Sequence, residues 1–310
     1  MSNKRSIREA FGEALRDLGK MNDKVVVLEA DVGSSTKSEY FGKAYPERYF
    51  NVGISELNMV NMAAGLALEG FIPYANTFAV FFASRALDPV QSLIAYDKLN
   101  VRLCGAYSGL SDSYDGASHQ SITDISVMRS IPGMTVISVA DSIMTKKAVE
   151  ALAEYVGPAY IRLSRTEVED IYEENQPFEI GKGNVLREGT DVTIISTGTV
   201  LHNVLEAAEL MAAENIQVEV IDIHTIQPLD KELIIKSAEK TGAVLTVEEH
   251  SIYGGLGSAV AEVLAEKKLA KVSSLGLKEF AESGDLKQLL EKYGYSAKDI
   301  AKKAREVKNL

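Results

Sequence analysis

Short apolar runs alternate with longer amphipathic stretches along most of the chain. The runs in KVVVLEAD, LNVRLCGA, MTVISVA and PAYIRLSR are rich in β-branched residues, and helical patterns such as SIMTKKAVEALAEY separate them. Alternation of this kind is typical of parallel sheets that are covered by helices. The pattern therefore predicts an α/β protein built from three-layer units with mainly parallel sheets.

The alternation is interrupted once, between residues 166 and 187. The segment TEVEDIYEENQPFEIGKGN is rich in acidic residues and carries Pro177 and Gly181, a composition typical of an interdomain connection. Beyond it the strand-like runs DVTIISTG, IQVEVIDI and GAVLTVEEH resume, again with helical patterns between them. We therefore predict a first domain over residues 1–170, a linker over 171–187 and a second, smaller α/β domain over 188–310.

Composition limits the classes of function. The 310 residues are enough for two domains, 46% of them are hydrophobic, and no apolar stretch has the length of a membrane span. The net charge of −11 disfavours binding to nucleic acid or to an anionic membrane surface. The single cysteine, Cys104, excludes an internal disulfide and fits a reducing compartment. The start of the chain lacks the pattern of a secretory signal, so we expect a cytoplasmic protein.

A lone glutamate stands between a glycine turn and a long uncharged run in NVGISELNMVNMAAGLALEG. One interpretation is structural, with Ser55 as the N-cap of a helix and Glu56 stabilising the helix dipole by about 0.3–1 kcal/mol. The other interpretation is functional. Because no charge follows Glu56 for a dozen residues, we expect a helix that is buried on all sides. A carboxyl group at the start of such a helix could exchange a proton near neutral pH.

Two further stretches carry groups suited to binding a small molecule. YANTFAVFFASR places Phe78, Phe81 and Phe82 together, either as core residues or as a surface on which a flat heterocycle stacks. The segment GAYSGLSDSYDGASHQSITD is long and polar, and it contains Asp115 and His119. Loops of this composition are costly to bury without a functional reason, and His119 is one of only four histidines in the chain.

Two arginines complete the set of candidates. Arg8 lies near the start of the first helical pattern, and Arg165 ends the run PAYIRLSR. Arginines at such positions are commonly surface residues, whereas two that converge would form a bidentate clamp for an anion. The local sequence leaves both interpretations open.

The order and spacing of GISE, the phenylalanine cluster, DGASHQ, MRSIPGMTVI and YIRLSR resembles the transketolase family of thiamine diphosphate enzymes. The resemblance extends over the whole chain and is to the C-terminal half of a transketolase, which comprises the pyrimidine-binding domain and the C-terminal domain. The motif of the other half, G-D-G followed by asparagine, holds magnesium and the cofactor diphosphate, and it has no counterpart here. The resemblance therefore implies a partner chain, the N-terminal transketolase subunit, which carries Mg2+, with two copies of each chain in the assembly.

The resemblance also implies roles for residues that match the family's motifs. Glu56 matches the glutamate that bonds the aminopyrimidine ring of thiamine diphosphate and so promotes loss of the thiazolium proton. Phe81 and Phe78 match aromatic residues that pack on this ring, and Asp31, in EADVGSS, matches an acidic residue beside the thiazolium. His119 matches a histidine near the carbonyl end of the substrate, where it donates or relays protons.

Substrate contacts are implied in the same way. Arg8, Arg165 and Ser35 match the residues that hold the phosphate of a sugar phosphate. Asp115 matches the residue that contacts a substrate hydroxyl. One position departs from the family, because Tyr107 stands where many transketolases have a histidine. Tyrosine also donates a hydrogen bond but does not titrate near neutral pH, so the preferred sugar stays open.

The activity implied by the resemblance is transfer of a two-carbon ketol unit from a ketose phosphate to an aldose phosphate, as in the pentose phosphate reactions of carbohydrate metabolism. One alternative is the beta subunit of a 2-oxo acid dehydrogenase, or a relative of deoxyxylulose-phosphate synthase, since these share the pyrimidine domain and its glutamate. A second alternative is a noncatalytic α/β binding protein with the same fold. DGASHQ together with Arg8 and Arg165 favours sugar phosphates.

Overall fold

The computed structural model describes residues 4–267 and 269–309. The strands are β1 (Arg5–Ser6), β2 (Val25–Glu29), β3 (Tyr49–Asn51), β4 (Ile72–Phe78), β5 (Arg102–Ala106), β6 (Thr135–Ser138), β7 (Ala159–Arg162), β8 (Glu167–Val168), β9 (Asn184–Arg187), β10 (Val192–Ser196), β11 (Val218–Asp222), β12 (Thr225–Gln227), β13 (Ala243–Ser251) and β14 (Lys271–Leu277). The helices are α1 (Ile7–Met21), α2 (Gly33–Thr36), α3 (Glu39–Ala44), α4 (Glu56–Leu68), α5 (Ala79–Ala83), α6 (Leu87–Pro89), α7 (Asp124–Arg129), α8 (Ser142–Glu154), α9 (Leu201–Ala212), α10 (Lys231–Thr241), α11 (Leu256–Ala265), α12 (Leu286–Lys292) and α13 (Ala297–Lys308). Short 3-10 helices lie at Pro46–Arg48, Gly109–Ser111 and Gly116–Ser118, and a π-helical segment at Val90–Ala95 follows α6.

The strands form two mainly parallel sheets, so the expected α/β fold is confirmed. Within the described residues, the first sheet has seven strands in the order β12-β6-β7-β5-β4-β2-β3, of which β12 is antiparallel to its neighbour. The second sheet has five strands over the same part of the chain, in the order β14-β13-β10-β11-β9, and β9 is antiparallel to β11. The short strands β1 and β8 pair with each other.

Helices cover both faces of the first sheet. α1 and α8 pack on one face, where Phe11 and Leu152 are fully buried, and α4, α5 and α7 pack on the other with Met59 and Phe82. Since both faces are covered, most strand residues on both faces are apolar, which explains the apolar runs in the sequence.

The second sheet is also covered on both faces, by α9 and α13 on one side and by α10 and α11 on the other. Its edge strand β9 comes from the segment 171–187, which the sequence predicts to be a linker, so the end of that segment is part of a sheet. Strand β12 returns from the second half of the chain to the first sheet, where Thr225 pairs with Ile137 of β6.

The sequence predicts that the helix after Glu56 is buried on all sides. In this chain by itself the prediction is wrong, because one face of α4 is exposed. Met59 and Ala63 are buried against the first sheet. Leu57 and Leu68, in contrast, are 50% and 70% exposed, and Ile54 just before the helix is 76% exposed. The uncharged sequence therefore produces one buried face and one exposed apolar face. The exposed side chains form what we call the α4 patch, which consists of Ile54, Leu57, Met62 and Leu68.

A buried hydrogen-bond network fixes the connection between the domains to both of them. The hydroxyl of Tyr172 donates to Asp222 Oδ2 over 2.6 Å and accepts from Asn184 Nδ2 over 3.3 Å. Asp141, at the start of α8, accepts the backbone N–H groups of Ile171 and Tyr172 over 2.8 and 2.9 Å. Burial raises the pKa of Asp222 to about 7, an effect that the hydrogen bond from Tyr172 partly offsets.

The pKa of Asp222 predicts a pH dependence of stability. An aspartate in the unfolded chain has a pKa of about 3.9, so the folded protein retains this proton more tightly. The stability that the group contributes is complete below about pH 4 and is lost as the pH rises towards about 7. Asp222→Asn keeps an acceptor for Tyr172 and does not titrate. The wild type should therefore lose about 3 kcal/mol more unfolding free energy between about pH 5 and pH 8 than Asp222→Asn does, as measured by urea unfolding.

The matched control is Asp285→Asn. Asp285 is the exposed N-cap of α12, and asparagine caps a helix about equally well. This variant should keep the pH dependence of the wild type. An Asp222→Asn protein with the same pH dependence as the wild type would contradict the prediction.

Candidate active site

Most of the candidate residues follow the carboxyl ends of parallel strands in the first sheet. These ends lie at one edge of the sheet, so the loops that leave them come together there. Asp31 and Ser35 follow β2, Glu56 follows β3, Phe78 and Phe81 lie at the end of β4, Tyr107, Asp115 and His119 follow β5, and Arg165 follows β7. Arg8, in the first turn of α1, contacts two of them.

A continuous aromatic surface lies at this edge and consists of Phe78, Phe81, Tyr107 and His119. Phe78 stacks on Tyr107 with 4.3 Å between ring centroids and on Phe81 with 5.7 Å. The ring of His119 lies edge-on to Phe78 and Phe81, at 6.0 and 5.6 Å. Phe82, in contrast, is fully buried in the core. The phenylalanine cluster therefore contributes to both the core and the candidate site.

Glu56 is joined to this surface by an arginine. It is the first residue of α4 and is 6% exposed, and its Oε1 accepts a hydrogen bond within an ion pair from Arg85 Nη1 at 2.9 Å. The guanidinium carbon of Arg85 lies 3.9 Å from the ring centroid of Phe81. No motif indicates Arg85, and the one signal for it is its position directly after the phenylalanine cluster. Ser55 occupies the N-cap position but makes no capping bond with its side chain, so its predicted capping role is wrong.

Arg8 and Arg165 converge on the ring of Tyr107. Their guanidinium carbons lie 4.9 and 5.0 Å from its centroid. Arg8 Nη1 also donates to the Tyr107 hydroxyl over 2.8 Å and to the backbone carbonyl of Ser35 over 2.6 Å. Two guanidinium groups beside one ring make this part of the site suitable for an anion.

Asp112 is a buried acidic group at the same place. Its Oδ1 lies 3.1 Å from Arg165 Nη1. Burial raises the pKa of Asp112 to about 6 and the nearby Asp115 carboxyl adds to the effect, whereas Arg165 lowers it. Asp115 itself is exposed. The only sequence signal for Asp112 is that it lies in the same polar loop, three residues before Asp115.

Two candidate residues have left-handed backbone conformations. Asp31 and Tyr107 both have φ of 60°. Asp31 is exposed, and its Oδ1 accepts a hydrogen bond from Asn51 Nδ2 over 3.1 Å. A non-glycine residue in a sparsely populated region costs about 1–3 kcal/mol, and such residues cluster at ligand sites. Lys37, Lys98 and Asn215 share this conformation, so it does not by itself mark a residue of the site.

Two kinds of feature are not found in the part of the chain that the structure describes, residues 4–267 and 269–309. This part contains no group of three or more His, Cys, Asp or Glu side chains that could hold a metal ion. None of its helices has the length and apolar character needed to cross a membrane.

Comparison with known protein families accounts for both halves of the chain. Residues 3–170 match the pyrimidine binding domain of transketolase, and residues 181–300 match the transketolase C-terminal domain. The chain belongs to the transketolase family. The resemblance seen in the motifs is thereby confirmed, and the two α/β domains are the pyrimidine-binding and C-terminal domains of that family.

Relatives of similar length in the transketolase family are described as sections or subunits. A putative transketolase C-terminal section from Methanocaldococcus jannaschii is 44% identical over 306 residues, which cover 97% of this chain and 96% of that protein. A 6-deoxy-6-sulfo-D-fructose transketolase subunit from Clostridium sp. (strain MSTE9) is 40% identical over 302 residues, which cover 97% and 94%. A solved structure described as a split gene transketolase, an inactive β4 tetramer, has 46% identity and a TM-score of 0.92, with 98% of this chain and 99% of that chain covered. The chain is thus similar over nearly its full length to the C-terminal part of a split transketolase.

The contacts of Tyr107 predict how much its ring and its hydroxyl stabilise the site. Tyr107 is 5% exposed. Tyr107→Phe keeps the ring but removes the acceptor for Arg8, so it should lower the free energy of unfolding by about 1 kcal/mol. Tyr107→Ala also removes the ring that packs on Phe78, and it should cost about 3 kcal/mol. Urea unfolding measures both changes, and equal losses would show that the ring contributes no packing energy.

Proposed function

We propose that this chain is one subunit of a thiamine-diphosphate-dependent transketolase, which transfers a two-carbon ketol unit from a ketose phosphate to an aldose phosphate. One observation carries the proposal. The guanidinium group of Arg85 contacts both the Glu56 carboxyl and the face of the Phe81 ring. A buried carboxyl group and an aromatic face therefore lie within reach of one small planar group.

The aminopyrimidine ring of thiamine diphosphate makes the same two kinds of contact. Like a guanidinium group, it is planar, bears N–H donors and stacks on an aromatic ring. The carboxyl of Glu56 and the face of Phe81, with Phe78 stacked beside it, therefore fit this ring. Arg85 competes with the cofactor for these contacts and has to move when the ring binds.

Bound thiamine diphosphate supplies a nucleophilic carbon once the thiazolium ring has lost its proton. In this proposal Glu56 holds a proton on a carboxyl oxygen and shares it with a nitrogen of the pyrimidine ring. Its burial at the start of α4 keeps water from competing for that proton. Phe78 and Phe81 orient the ring by stacking, and Asp31 is assigned to the thiazolium side.

We assign the opposite end of the aromatic surface to the sugar phosphate. Arg8 and Arg165 bind the phosphate, with Ser35 beside them. His119, edge-on to the phenylalanine rings, donates or accepts a proton at the substrate oxygen whose charge changes as the carbon–carbon bond forms or breaks. Asp115, on the same loop, contacts a substrate hydroxyl.

The proposal includes a partner, the N-terminal transketolase subunit, which would hold Mg2+ and the cofactor diphosphate. We assign the α4 patch to this partner, because exposed apolar surfaces mark interaction sites. Glu56 begins the same helix, so a chain that covers the patch also borders the carboxyl group. We propose two copies of each chain, in the cytoplasm.

The substrate is proposed only by class, as an anionic ketose donor and an aldose phosphate acceptor. The Clostridium relative is named as a subunit for 6-deoxy-6-sulfo-D-fructose. Sulfonate and phosphate groups are both tetrahedral anions that two arginines can bind. Because Tyr107 replaces the usual histidine, we include deoxy and substituted ketoses among the donors.

Replacement of Glu56 tests the proposed reaction. The protein used is the complex of this chain with its partner, purified through a tag on this chain. Glu56→Gln keeps the size of the side chain but removes the ionisable group, so ketol transfer should fall by about 1000-fold. Thiamine diphosphate and the partner should still be recovered with the variant.

Glu69→Gln is the matched control, since Glu69 is exposed at the other end of α4, and it should retain wild-type activity. Ketol transfer by Glu56→Gln above a tenth of the wild-type rate would contradict the role of Glu56. Recovery of the wild-type chain with neither partner nor cofactor would contradict the proposed enzyme.

Replacement of Arg165 tests the phosphate site. Arg165→Ala should raise KM for phosphorylated ketoses by about tenfold or more, because a charge-assisted bond is lost. KM for unphosphorylated ketoses should change by less than about threefold. Arg16→Ala, which removes an exposed arginine of α1 that pairs with Asp17, is the control. Equal increases for both kinds of sugar would show that the phosphate is bound elsewhere.

A further inference from the structure

The loop that carries Asp115 and His119 is closed at its base. We call residues 109–120 the site loop. Gly109 N donates to the carbonyl of Ser121 over 2.8 Å, and Ser108 and Ser121 form a β-bridge. The loop is therefore a closed unit whose position depends on what holds its base and its tip.

Glu249, on β13 of the second sheet, holds the base. Its Oε1 accepts the backbone N–H of Leu110 over 2.5 Å. The backbone carbonyl of Glu249 accepts from Arg162 Nη2 over 2.8 Å, and the same guanidinium donates to the carbonyl of Ser121 over 3.1 Å. Both ends of the site loop are thus bound to Glu249. The first end is bound directly, through Leu110, and the other is bound through Arg162, which contacts Ser121.

A second segment of the same domain, residues 282–284, holds the rest of the loop. The N–H of Gly284 donates to the carbonyl of Ser113 over 2.9 Å. Gln120 Nε2 donates to the carbonyl of Glu282 over 3.1 Å. These contacts lie on either side of Asp115 and His119 in the chain.

Two glycines allow the second domain to approach the loop this closely. Gly109 has φ of 61°, and a Cβ atom there would lie 2.7 Å from Glu249 Oε1. Gly116 has φ of 75°, and a Cβ atom there would lie 2.1 Å from Ser283 Oγ. Both positions therefore need glycine for its backbone conformation and for the space. The sequence of the loop is adapted to its contact with the second domain.

We propose that the second domain positions the site loop for substrate binding and that Glu249 is the principal positioning residue. The inference rests on the function proposed above, because the loop residues Asp115 and His119 are assigned there to substrate. If a polar loop becomes ordered only when substrate binds, the conformational entropy that it loses reduces the observed affinity for substrate. A loop already held by Glu249 avoids this cost, so Glu249 acts through the loop backbone on KM.

Hydrogen exchange in Glu249 variants is the first test. Glu249→Ala removes the acceptor for the Leu110 N–H, and amides of residues 109–121 should exchange at least about tenfold faster than in the wild type. Glu249→Gln keeps one acceptor oxygen, so it should restore most of the protection. Exchange elsewhere in the chain should change little. The measurement is made on the purified chain, alone and together with any partner recovered with it, by mass spectrometry of peptides, and it does not depend on activity.

Kinetics on the same complexes provide the second readout. In Glu249→Ala, KM for the ketose phosphate should rise at least about tenfold, while the rate of thiazolium proton exchange stays at the wild-type value. Glu249→Gln should bring KM back towards the wild type. A general loss of stability would not separate these two quantities in this way.

Gly284 offers an independent pair of variants if Glu249→Ala does not fold. Gly284→Pro removes the N–H that donates to Ser113, whereas Gly284→Ala keeps it and meets its nearest neighbour, Leu289, at 3.7 Å. Proline should increase exchange in the site loop and alanine should not. Equal exchange in both variants and the wild type would overturn the inference.

Unchanged protection of residues 109–121 in Glu249→Ala would also overturn it, as would an equal increase in exchange over the whole chain. Absence of ketol transfer by the wild-type complex would contradict the proposed function. The exchange results would then still decide whether the second domain holds the loop.

Discussion

The buried ion pair between Arg162 and Asp124, both in the first domain, holds the guanidinium group that reaches the site loop and the second domain. Its atoms Arg162 Nε and Asp124 Oδ2 are 2.8 Å apart, and both side chains are almost fully buried. A guanidinium group removed from water is tolerated only when its N–H groups have acceptors. Here the other acceptors are carbonyl groups of the site loop base and of β13, and Tyr160 also donates to Asp124 over 2.8 Å. The hydrogen bonds of the buried Arg162 guanidinium therefore link β7, α7, the base of the site loop and β13 of the second sheet.

The aromatic surface divides the candidate site into two electrostatic regions. Glu56 and Arg85 lie at the Phe81 end. Arg8 and Arg165 lie beside Tyr107, and Asp112 pairs with Arg165. Phe78 stacks on both end rings and so lies between the two regions. A ligand that extends across this surface meets a carboxyl group at one end and paired cations at the other. In the function proposed above, the first region is assigned to the aminopyrimidine ring and the second to the phosphate of the substrate.

The sequence predicts the fold class well because strands buried on both faces leave continuous apolar runs that are visible without a structure. Most residues of the candidate site also lie in sequence motifs, because they follow the ends of strands. Arg85 and Asp112 are different, because their importance arises from contacts with Glu56 and Arg165 that are distant in the chain. Helix α4 shows another limit. An uncharged helix has the same composition whether its second face is enclosed by its own chain or left exposed, so sequence alone does not distinguish the two.

Strand β12 makes the first sheet depend on a segment from the second half of the chain, so the two domains are not separable at the linker without loss of a strand. It follows β9, β10 and β11 in the chain, yet it completes the first sheet by pairing with β6. A gene break in the linker would leave β6 as an open edge, whose backbone groups would pair with other chains. The fragment made in this way would aggregate more readily than an intact domain. Domain shuffling at that point is therefore disfavoured, and the two halves are expected to be inherited together.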